Sequence, residues 1–475
     1  MPPLRNQVFP LTITTLAPLH INSGARLLPN VDYYADGERV VVVDADVALD
    51  LVAQRWEAEQ PAPGAQRQQE EAALDAEAAQ IQRRRERNIR ELTAFENAPP
   101  RDRQKAKQRE EQLVREATQI KSALANLKER RTHLATAPEL SSASLPDALV
   151  QNSGLSDLLK TRWLTLDDLR GPPSLNGRPL VRYTMTGRPN GDLYELIKDL
   201  ADRPYLPGSS LKGALRSALA WVQAGSLPPT VLQQIGNGAK FADNAIEAAI
   251  FNGQLGPDRQ KLNQTLRDVL RTLHVGDSGP VAVAPELLTV QVFQSKSAGL
   301  IDLEAIPAGT CFQATLQVER YPFENEAAKR VISFGDWQKR LAPTALAQAC
   351  RERAAALLTD ELAYFARFPE AAEVTRFYHE LAAQLAQLGP RAFMLPVGWG
   401  AGWRSKTLDT RLRTDAASED QFATTVQRFR LKKHKSERFR PGDSFPDTRK
   451  LALAGGRPWR PLGWLQVEIG EERTR

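Results

Sequence analysis

The segment Arg203-Pro-Tyr-Leu-Pro-Gly-Ser-Ser-Leu-Lys-Gly-Ala-Leu-Arg-Ser-Ala218 decides how this chain is interpreted. Pro207-Gly208 is typical of a turn, because glycine accepts a positive φ at no steric cost. We expect Ser209 or Ser210 to cap the helix that follows by accepting a hydrogen bond from a backbone N–H group. A helix start carries N–H groups without partners and a partial positive charge, so the segment predicts a phosphate site.

The residues after this turn separate into two helix faces. Leu211, Leu215 and either Ala218 or Leu219 recur at helical spacing and predict the buried face. Lys212 and Arg216 are four residues apart and therefore share another face. Two cations beside a helix start favour an anionic ligand, and a capped amphipathic helix with solvated cations is the alternative.

The glycines of the segment do not form a nucleotide-binding P-loop. Gly208 and Gly213 have the required spacing, but Ala214 and Leu215 stand where that motif needs Lys and Ser or Thr. Binding of a nucleic-acid backbone requires only N–H donors and positive charge. Such a backbone therefore fits the segment better than a nucleoside triphosphate does.

Length and composition limit the possible number of domains and the possible classes of protein. The chain has 475 residues and a net charge of +6, and this length predicts two or three domains. Its two cysteines, Cys311 and Cys350, lie far apart in sequence, which argues against a disulfide framework or a zinc site. We find no apolar run of membrane-spanning length and no signal-peptide pattern, so we expect a cytoplasmic protein without membrane contact.

Residues 55–139 differ from the rest of the chain, because they are rich in Gln, Glu, Arg and Ala. Positions near a 3.5-residue period predict an antiparallel helical coiled-coil hairpin, broken at Asn97-Ala-Pro-Pro100, with Pro61-Ala-Pro63 as a hinge. Its basic residues alternate with Glu, which favours a solvated face. The positions that follow the period are Leu74, Ala78, Ile81, Asn88, Leu92, Phe95, Leu113, Ala117, Ile120, Leu124, Leu127 and Leu134.

Outside this insert, strand and helix patterns alternate irregularly. The flanks of Asp36-Gly37 predict a hairpin, and residues 288–293 and 312–318 alternate as strands do. Long helical stretches follow at about 343–367 and 370–388. This order favours the α+β class over a doubly wound sheet.

Two segments near the C-terminus add candidate RNA contacts. Gly398, Gly400 and Gly402 let backbone N–H groups approach a ligand, and Lys406 is a candidate phosphate partner. Trp399 and Trp403 have the chemistry either to stack on bases or to pack in the core, and we expect core packing for one of them.

The segment Arg428-Phe-Arg-Leu-Lys-Lys-His-Lys-Ser-Glu-Arg-Phe-Arg440 is the most basic part of the chain. Phe429 and Phe439 alternate with its cations, a mixture that suits phosphate neutralisation together with base stacking. A solvated loop is the alternative. The candidate RNA-binding residues of this segment are Arg428, Arg430, Lys432, Lys433 and Lys435.

Four segments resemble the RAMP proteins of CRISPR effector complexes. They are Pro207–Arg216, the first strand and turn at Leu11–Gly24, the glycine-rich loop at Val397–Thr407 and the last strand at Pro461–Val467. Together they are most similar to the family of the fifth Csm subunit of type III-A systems. Asn22 departs from the glycine that the family usually has in the first turn.

The resemblance implies two ferredoxin-like (RRM-type, RAMP) modules. They would comprise residues 1–54 with 140–320 and residues 321–475, with the helical hairpin inserted at 55–139. It also implies that Gly208, Ser209, Ser210, Lys212, Gly213 and Arg216 contact RNA together with the glycine-rich loop and the basic segment. His20, Asn22 and Gly24 are further candidates.

The function that the resemblance implies is that of a non-catalytic subunit without a cofactor. It would bind the 3′ region of crRNA and cap the filament of repeated backbone RAMP subunits. Its partners would be crRNA, the other Csm subunits and host nucleases recruited for 3′ maturation of the crRNA.

An endoribonuclease is the alternative function. His20 lies in a turn and could act as a general acid or base. Asp32 lies after the first turn, and in the target-cleaving backbone RAMP subunit an aspartate on a loop after the first strand cuts bound RNA with a metal. No histidine has metal-ligand spacing. We prefer a hydrogen-bonded structural role for His20 and a hairpin role for Asp32, and we predict no catalytic residue and no metal site.

Overall fold

The computed structural model describes residues 6–59, 66–97, 103–136, 154–171, 173–236, 242–258, 261–295, 297–413, 416–432, 439–441 and 443–473. Two compact units divide the chain. The larger comprises Met1–Val43 and Val181–Arg475, and the smaller comprises Asp44–Leu180.

The strands are β1 Gln7–Thr15, β2 Asn22–Leu27, β3 Tyr33–Asp36, β4 Arg39–Val43, β5 Ser174–Leu175, β6 Arg178–Pro179, β7 Val181–Thr186, β8 Leu193–Leu196, β9 Gln254–Leu255, β10 Leu273–Val275, β11 Glu286–Phe293, β12 Ile301–Ala305, β13 Cys311–Val318, β14 Ile332–Ser333, β15 Ala392–Pro396, β16 Arg449–Ala454, β17 Arg457–Arg460 and β18 Trp464–Ile469. The helices are α1 Ala45–Glu59, α2 Gln66–Asn97, α3 Arg103–Thr136, α4 Leu155–Leu158, α5 Leu166–Arg170, α6 Gly208–Ala224, α7 Pro229–Leu232, α8 Asn244–Phe251, α9 Gln264–Arg267, α10 Tyr321–Glu324, α11 Glu326–Val331, α12 Trp337–Arg340, α13 Pro343–Phe365, α14 Ala372–Ala386 and α15 Ala416–Arg428.

A five-stranded antiparallel sheet lies at the centre of the larger unit, in the order β10-β13-β1-β18-β15. Leu11 and Ile13 of β1 are buried, as the alternation of that strand predicts. Leu211 and Leu215 of α6 belong to the same apolar core as Ile13, which confirms the predicted buried face of that helix. Strands from both sides of residue 320 share this sheet, and the division into two RAMP modules at that residue stays a prediction.

The larger unit also contains a six-stranded sheet, in the order β17-β16-β11-β12-β8-β2. Only its β12–β8 pair is parallel. The predicted hairpin is formed by β3 and β4, which β7 extends to three strands. Val290, Leu303 and Ala452 form the apolar core of the six-stranded sheet, with Leu462 packed beside them.

The smaller unit contains the two longest helices of the described chain, α2 and α3. Ion pairs of Glu91 with Arg109 and of Glu77 with Arg130 show that these helices pair antiparallel. Their seam buries Leu74, Ile81, Ile120 and Leu127. Coiled-coil packing in the strict sense stays a prediction, and the proposed hinge at 61–63 lies outside the described residues.

Helices and mostly antiparallel sheets confirm the predicted mixed α and β architecture, whereas the ferredoxin-like topology stays a prediction. Cys311 and Cys350 are both free thiols, the first exposed and the second buried. Within the described residues, no helix combines the length and the apolar character that crossing a membrane requires.

Candidate nucleic-acid interface

The start of α6 differs from its predicted form. The helix begins at Gly208 after Pro207, and no side chain caps it, so the expectation of a Ser209 or Ser210 cap is wrong. The carboxylate of Asp277 lies there instead and accepts a hydrogen bond from the Gly208 N–H at 2.7 Å. A carboxylate at this end stabilises the helix by the same electrostatics that would favour a bound phosphate.

The two glycines of this segment have different roles. A Cβ on Gly208 would lie 2.1 Å from the carbonyl oxygen of Val275, so Gly208 is required for close packing and takes a helical rather than a left-handed conformation. A Cβ on Gly213 would meet no atom within 4 Å, and Gly213 is exposed. Internal packing therefore explains Gly208 but not Gly213.

The two cations of α6 also differ. Arg216 donates to Glu247 at 2.6 Å and to Asp268 at 2.7 Å, and its guanidinium lies 4.2 Å from the ring centroid of Phe251. Lys212 is half-buried and forms no hydrogen bond or ion pair with the described residues. Burial lowers the pKa of Lys212, and the nearby Asp268 opposes that shift. Lys212 is thus the cation of this helix that remains for a ligand.

The glycine-rich loop follows β15 at the edge of the five-stranded sheet. Gly398, Gly400 and Gly402 all have positive φ, at 83°, 83° and 92°. A Cβ on Gly398 would lie 2.5 Å from the carbonyl oxygen of His20, and that same oxygen accepts the Trp399 N–H at 2.9 Å. The loop therefore lies directly on the turn between β1 and β2.

Several side chains of the loop form hydrogen bonds or ring contacts within the protein. The Lys406 ammonium group is exposed and donates to the carbonyl of Gly398 at 3.1 Å. The Nζ of Lys450 lies 3.7 Å from the centroid of the Trp399 ring. Trp403 packs edge-on against Phe445 with centroids 5.4 Å apart. Trp399 and Trp403 are each partly buried and pack against a core cluster, so both have the packing contacts that were expected of one of the pair.

His20 has a structural position. It is fully buried, and its Nδ1 lies 2.6 Å from the carbonyl oxygen of Glu304. Burial lowers the pKa of His20 to about 4, so the ring is neutral at pH 7. A side chain enclosed in this way cannot reach an RNA strand, so the candidate contact at His20 is withdrawn. Asn22 and Gly24 are exposed, and the Asn22 carboxamide oxygen accepts the Gly24 N–H at 2.8 Å.

Asp32 stabilises the turn before β3. One carboxylate oxygen of Asp32 accepts the backbone N–H of Leu28 at 2.8 Å. In the described part of the chain, no three His, Cys, Asp or Glu side chains are grouped as metal ligands would be.

The basic segment is described only in part. Arg428 ends α15, Arg430 is exposed with φ of 51°, and Lys432 lies 3.8 Å from a carboxylate oxygen of Asp447. Lys433 and Lys435 lie outside the described residues. As sites of RNA contact, all five cations stay predictions.

The aromatic residues of this segment do not form the expected pair of stacking platforms. Phe439 is buried in a cluster with Phe422 and Phe445, so it is a core residue. Phe429 is half-buried, with the Arg428 guanidinium 5.3 Å from its centroid.

A cavity of about 370 Å³ lies against the glycine-rich loop. Residues of β16 and α14 also line this cavity and were not among the predicted site residues, among them Arg449, Lys450 and Tyr378. No sequence signal identifies them, because the lining comes from segments far apart along the chain.

The structure brings some of the predicted site residues together. The loop Gly398–Lys406 lies on the turn that contains His20, and α6 contacts Arg404–Lys406 at the end of that loop. The first residue of α6 is bonded to Asp277. Both features depend on the five-stranded sheet, because α6 covers its core and β15 leads into the loop.

Comparison with known proteins gives a family and two related folds. A family model described as the RAMP superfamily matches residues 12–360. A chain of the Csm–crRNA–target RNA ternary complex of a type III-A CRISPR-Cas system, solved by cryo-EM, has 21% identity and a TM-score of 0.55, and the match covers 97% of this chain and 100% of that one. The crystal structure of T. onnurineus Csm5 has 19% identity and a TM-score of 0.51, with coverage of 96% and 99%. No curated protein sequence matches the chain.

Proposed function

The chain belongs to the RAMP superfamily, and from this membership we propose that it is a non-catalytic RNA-binding subunit of a type III-A CRISPR effector complex. The structural likeness to a chain of a Csm–crRNA–target RNA complex supports crRNA and other Csm subunits as its partners.

The observation that carries the proposal is the face of α6 on which Gly213 is exposed and Lys212 is half-buried. Ser209 and Gly213 are four residues apart on the helix, so they lie on one face, and both are exposed. A polyanion backbone can approach closely where no Cβ projects, and Lys212 beside it has no ion pair among the residues that the structure describes. This face therefore offers both space and charge to a sugar-phosphate chain.

The glycine-rich loop extends the proposed RNA surface. A Cβ on Gly402 would meet no atom within 4 Å, so this position also leaves room for a ligand. Lys406 is exposed beside it and can exchange its bond to the Gly398 carbonyl for a phosphate oxygen.

The proposed role in the complex follows from the kind of contact. Phosphate contacts fix the position of a strand without reading its bases, so binding should be largely independent of sequence. We propose that the subunit holds the 3′ region of the crRNA, caps the filament of repeated backbone RAMP subunits and supports 3′ maturation by recruited host nucleases.

The absence of intrinsic catalysis is part of the proposal. Two features support it, the enclosure of His20 and the engagement of Asp32 in its turn.

We propose further that β1, α6, β10, β13, α13 and β18 form one ferredoxin-like module. Their strands lie in the order β10-β13-β1-β18 with every neighbouring pair antiparallel. Numbered along the chain, this is the strand order 2-3-1-4 of a βαββαβ unit.

The RNA site is tested by the salt dependence of binding to single-stranded RNA. Lys212→Gln should weaken binding and reduce the slope of log K against log salt by about 0.7, the value for one phosphate contact on a single strand. Lys339→Gln is the matched control, because Lys339 is 88% exposed in its side chain and lies on α12. Equal slopes for wild type and Lys212→Gln would refute the role of α6.

The place in the complex is tested by copurification and crosslinking. Expressed with the other Csm subunits, the chain should copurify with crRNA and crosslink to its 3′ region. Crosslinks confined to the 5′ end would refute the capping role.

A further inference from the structure

The cavity beside the glycine-rich loop has the size of a small-ligand site. Its volume of about 370 Å³ falls within the range of such pockets, which starts at about 300 Å³. Its walls come from the loop, from β16, from the segment Pro461–Trp464 and from the helices α13 and α14. Such a space has room for one small ligand and not for a folded chain.

Aromatic rings form much of the lining. Trp399 and Trp403 contribute from the loop, and both are partly exposed. Trp464 and Tyr378 also line the cavity, and both are almost wholly buried. A base stacks on such a ring whichever base it is, because every base has a π-face.

The charge of the lining favours an anion. Four cationic side chains and one carboxylate, that of Glu361, line the cavity, and the Arg404 guanidinium pairs with Asp360 at 3.0 Å. The Glu361 carboxylate accepts two hydrogen bonds from the Arg449 guanidinium, at 2.7 and 2.9 Å. Lys406 and Lys450 approach from two different elements, the loop and β16.

We propose that this cavity binds one nucleotide, with its base on the indole of Trp399 and its phosphate between Lys406 and Lys450. The Lys450 ammonium covers that ring at 3.7 Å and would move to the phosphate when the base stacks. As a strand-binding pocket the site rests on the proposed RNA-binding function, because one unstacked nucleotide of the bound strand would fill it. A free mononucleotide offers the same chemistry, so the test must separate these two sources.

The probes are uridine 5′-monophosphate, and ribose 5-phosphate as the matched compound without a base. Titrated calorimetrically into the full chain, the nucleotide should bind saturably and quench tryptophan fluorescence, and the sugar phosphate should bind about tenfold more weakly. Ala401→Leu fills space in the lining and should abolish binding, whereas Ala401→Ser keeps the volume and should retain it. Lys450→Gln is a second variant that leaves the volume nearly unchanged and should weaken nucleotide binding.

The outcomes separate the pocket from the proposed function. The pocket is refuted if uridine 5′-monophosphate shows no saturable binding, if ribose 5-phosphate binds equally well, or if both Ala401→Leu and Lys450→Gln bind like wild type. If RNA affinity still falls in Lys212→Gln in any of those cases, the RNA-binding function stands without the pocket. If a short oligouridine displaces the nucleotide, the natural ligand of the cavity is a nucleotide of the bound strand. If both bind at the same time, the natural ligand is a free nucleotide. Either result supports the site.

Discussion

Replacing Gly213 with alanine should stabilise the protein and weaken RNA binding. Glycine in an exposed helix interior costs about 0.8–1.0 kcal/mol relative to alanine, and α6 runs from Gly208 to Ala224 around it. The new Cβ would meet no atom within 4 Å, so no steric term opposes the gain in helix propensity. The free energy of unfolding should therefore rise by about 1 kcal/mol.

The same methyl group would stand where we propose that the RNA backbone passes. If a sugar-phosphate chain lies against this face, the methyl should lower RNA affinity by about tenfold, or about 1.4 kcal/mol. Opposite signs for stability and binding are the signature of a glycine retained for a ligand rather than for the fold.

Two assays measure these effects, thermal unfolding of the full chain and filter binding of single-stranded RNA. In a domain of 150–250 residues, about 1 kcal/mol shifts Tm by roughly 2–4 °C, and in this longer chain we expect a smaller rise. Gly208→Ala is the matched control, because its Cβ would lie 2.1 Å from a backbone oxygen and should destabilise the fold. A stabilised Gly213→Ala variant with unchanged RNA affinity would refute the close approach of RNA.

Four further predictions follow from the same geometry. Burial lowers the pKa of His20 to about 4, below the unfolded value of about 6.5. Between these two pH values the unfolded chain binds a proton that the native chain excludes. The free energy of unfolding should therefore fall by up to about 1.4 kcal/mol per pH unit as the pH drops from 6.5 to 4. Urea unfolding across that range should show this slope reduced in His20→Gln and retained in His379→Gln, and equal slopes would contradict it. Incubation with RNA, with and without Mg²⁺, should give no cleavage by wild type, and cleavage that Asp32→Asn abolishes would overturn the non-catalytic proposal. Arg216→Gln leaves two partly buried carboxylates unpaired and should lower stability by about 1–2 kcal/mol in thermal unfolding, whereas no change would show that the pairs contribute nothing. Replacing α2 and α3 by a short Gly-Ser linker should leave RNA affinity in filter binding unchanged, and a large loss would assign RNA contact to the smaller unit.

Much of the element pattern could be predicted, because it depends on local periodicity. The alternation of residues 312–318 gave β13, and the helical period after Gly208 gave the buried face of α6. The 3.5-residue spacing of Leu74 and Ile81 likewise anticipated the seam between α2 and α3. In these segments one face must be buried, so the sequence itself records the direction of the core.

The candidate site could be predicted only in part. The glycine and lysine positions of the candidate site, such as Gly213 and Lys406, could be identified from their residue types. Their partners were not visible, because Asp277 reaches the start of α6 from 69 positions away. The pairing of Arg216 with two carboxylates and the burial of His20 depend equally on distant segments.

The amino-acid sequence by itself determined which segments form helices and strands, which of their faces are apolar and where glycines and cations are concentrated. These properties depend on neighbours within a few residues. Only the tertiary structure decided that Arg216 is neutralised while Lys212 has no ion pair within the described part of the chain, and that a cavity forms beside Trp399. The reason is physical, since the desolvation and pairing of a charge depend on every atom around it, and those atoms come from strands and helices far apart along the chain.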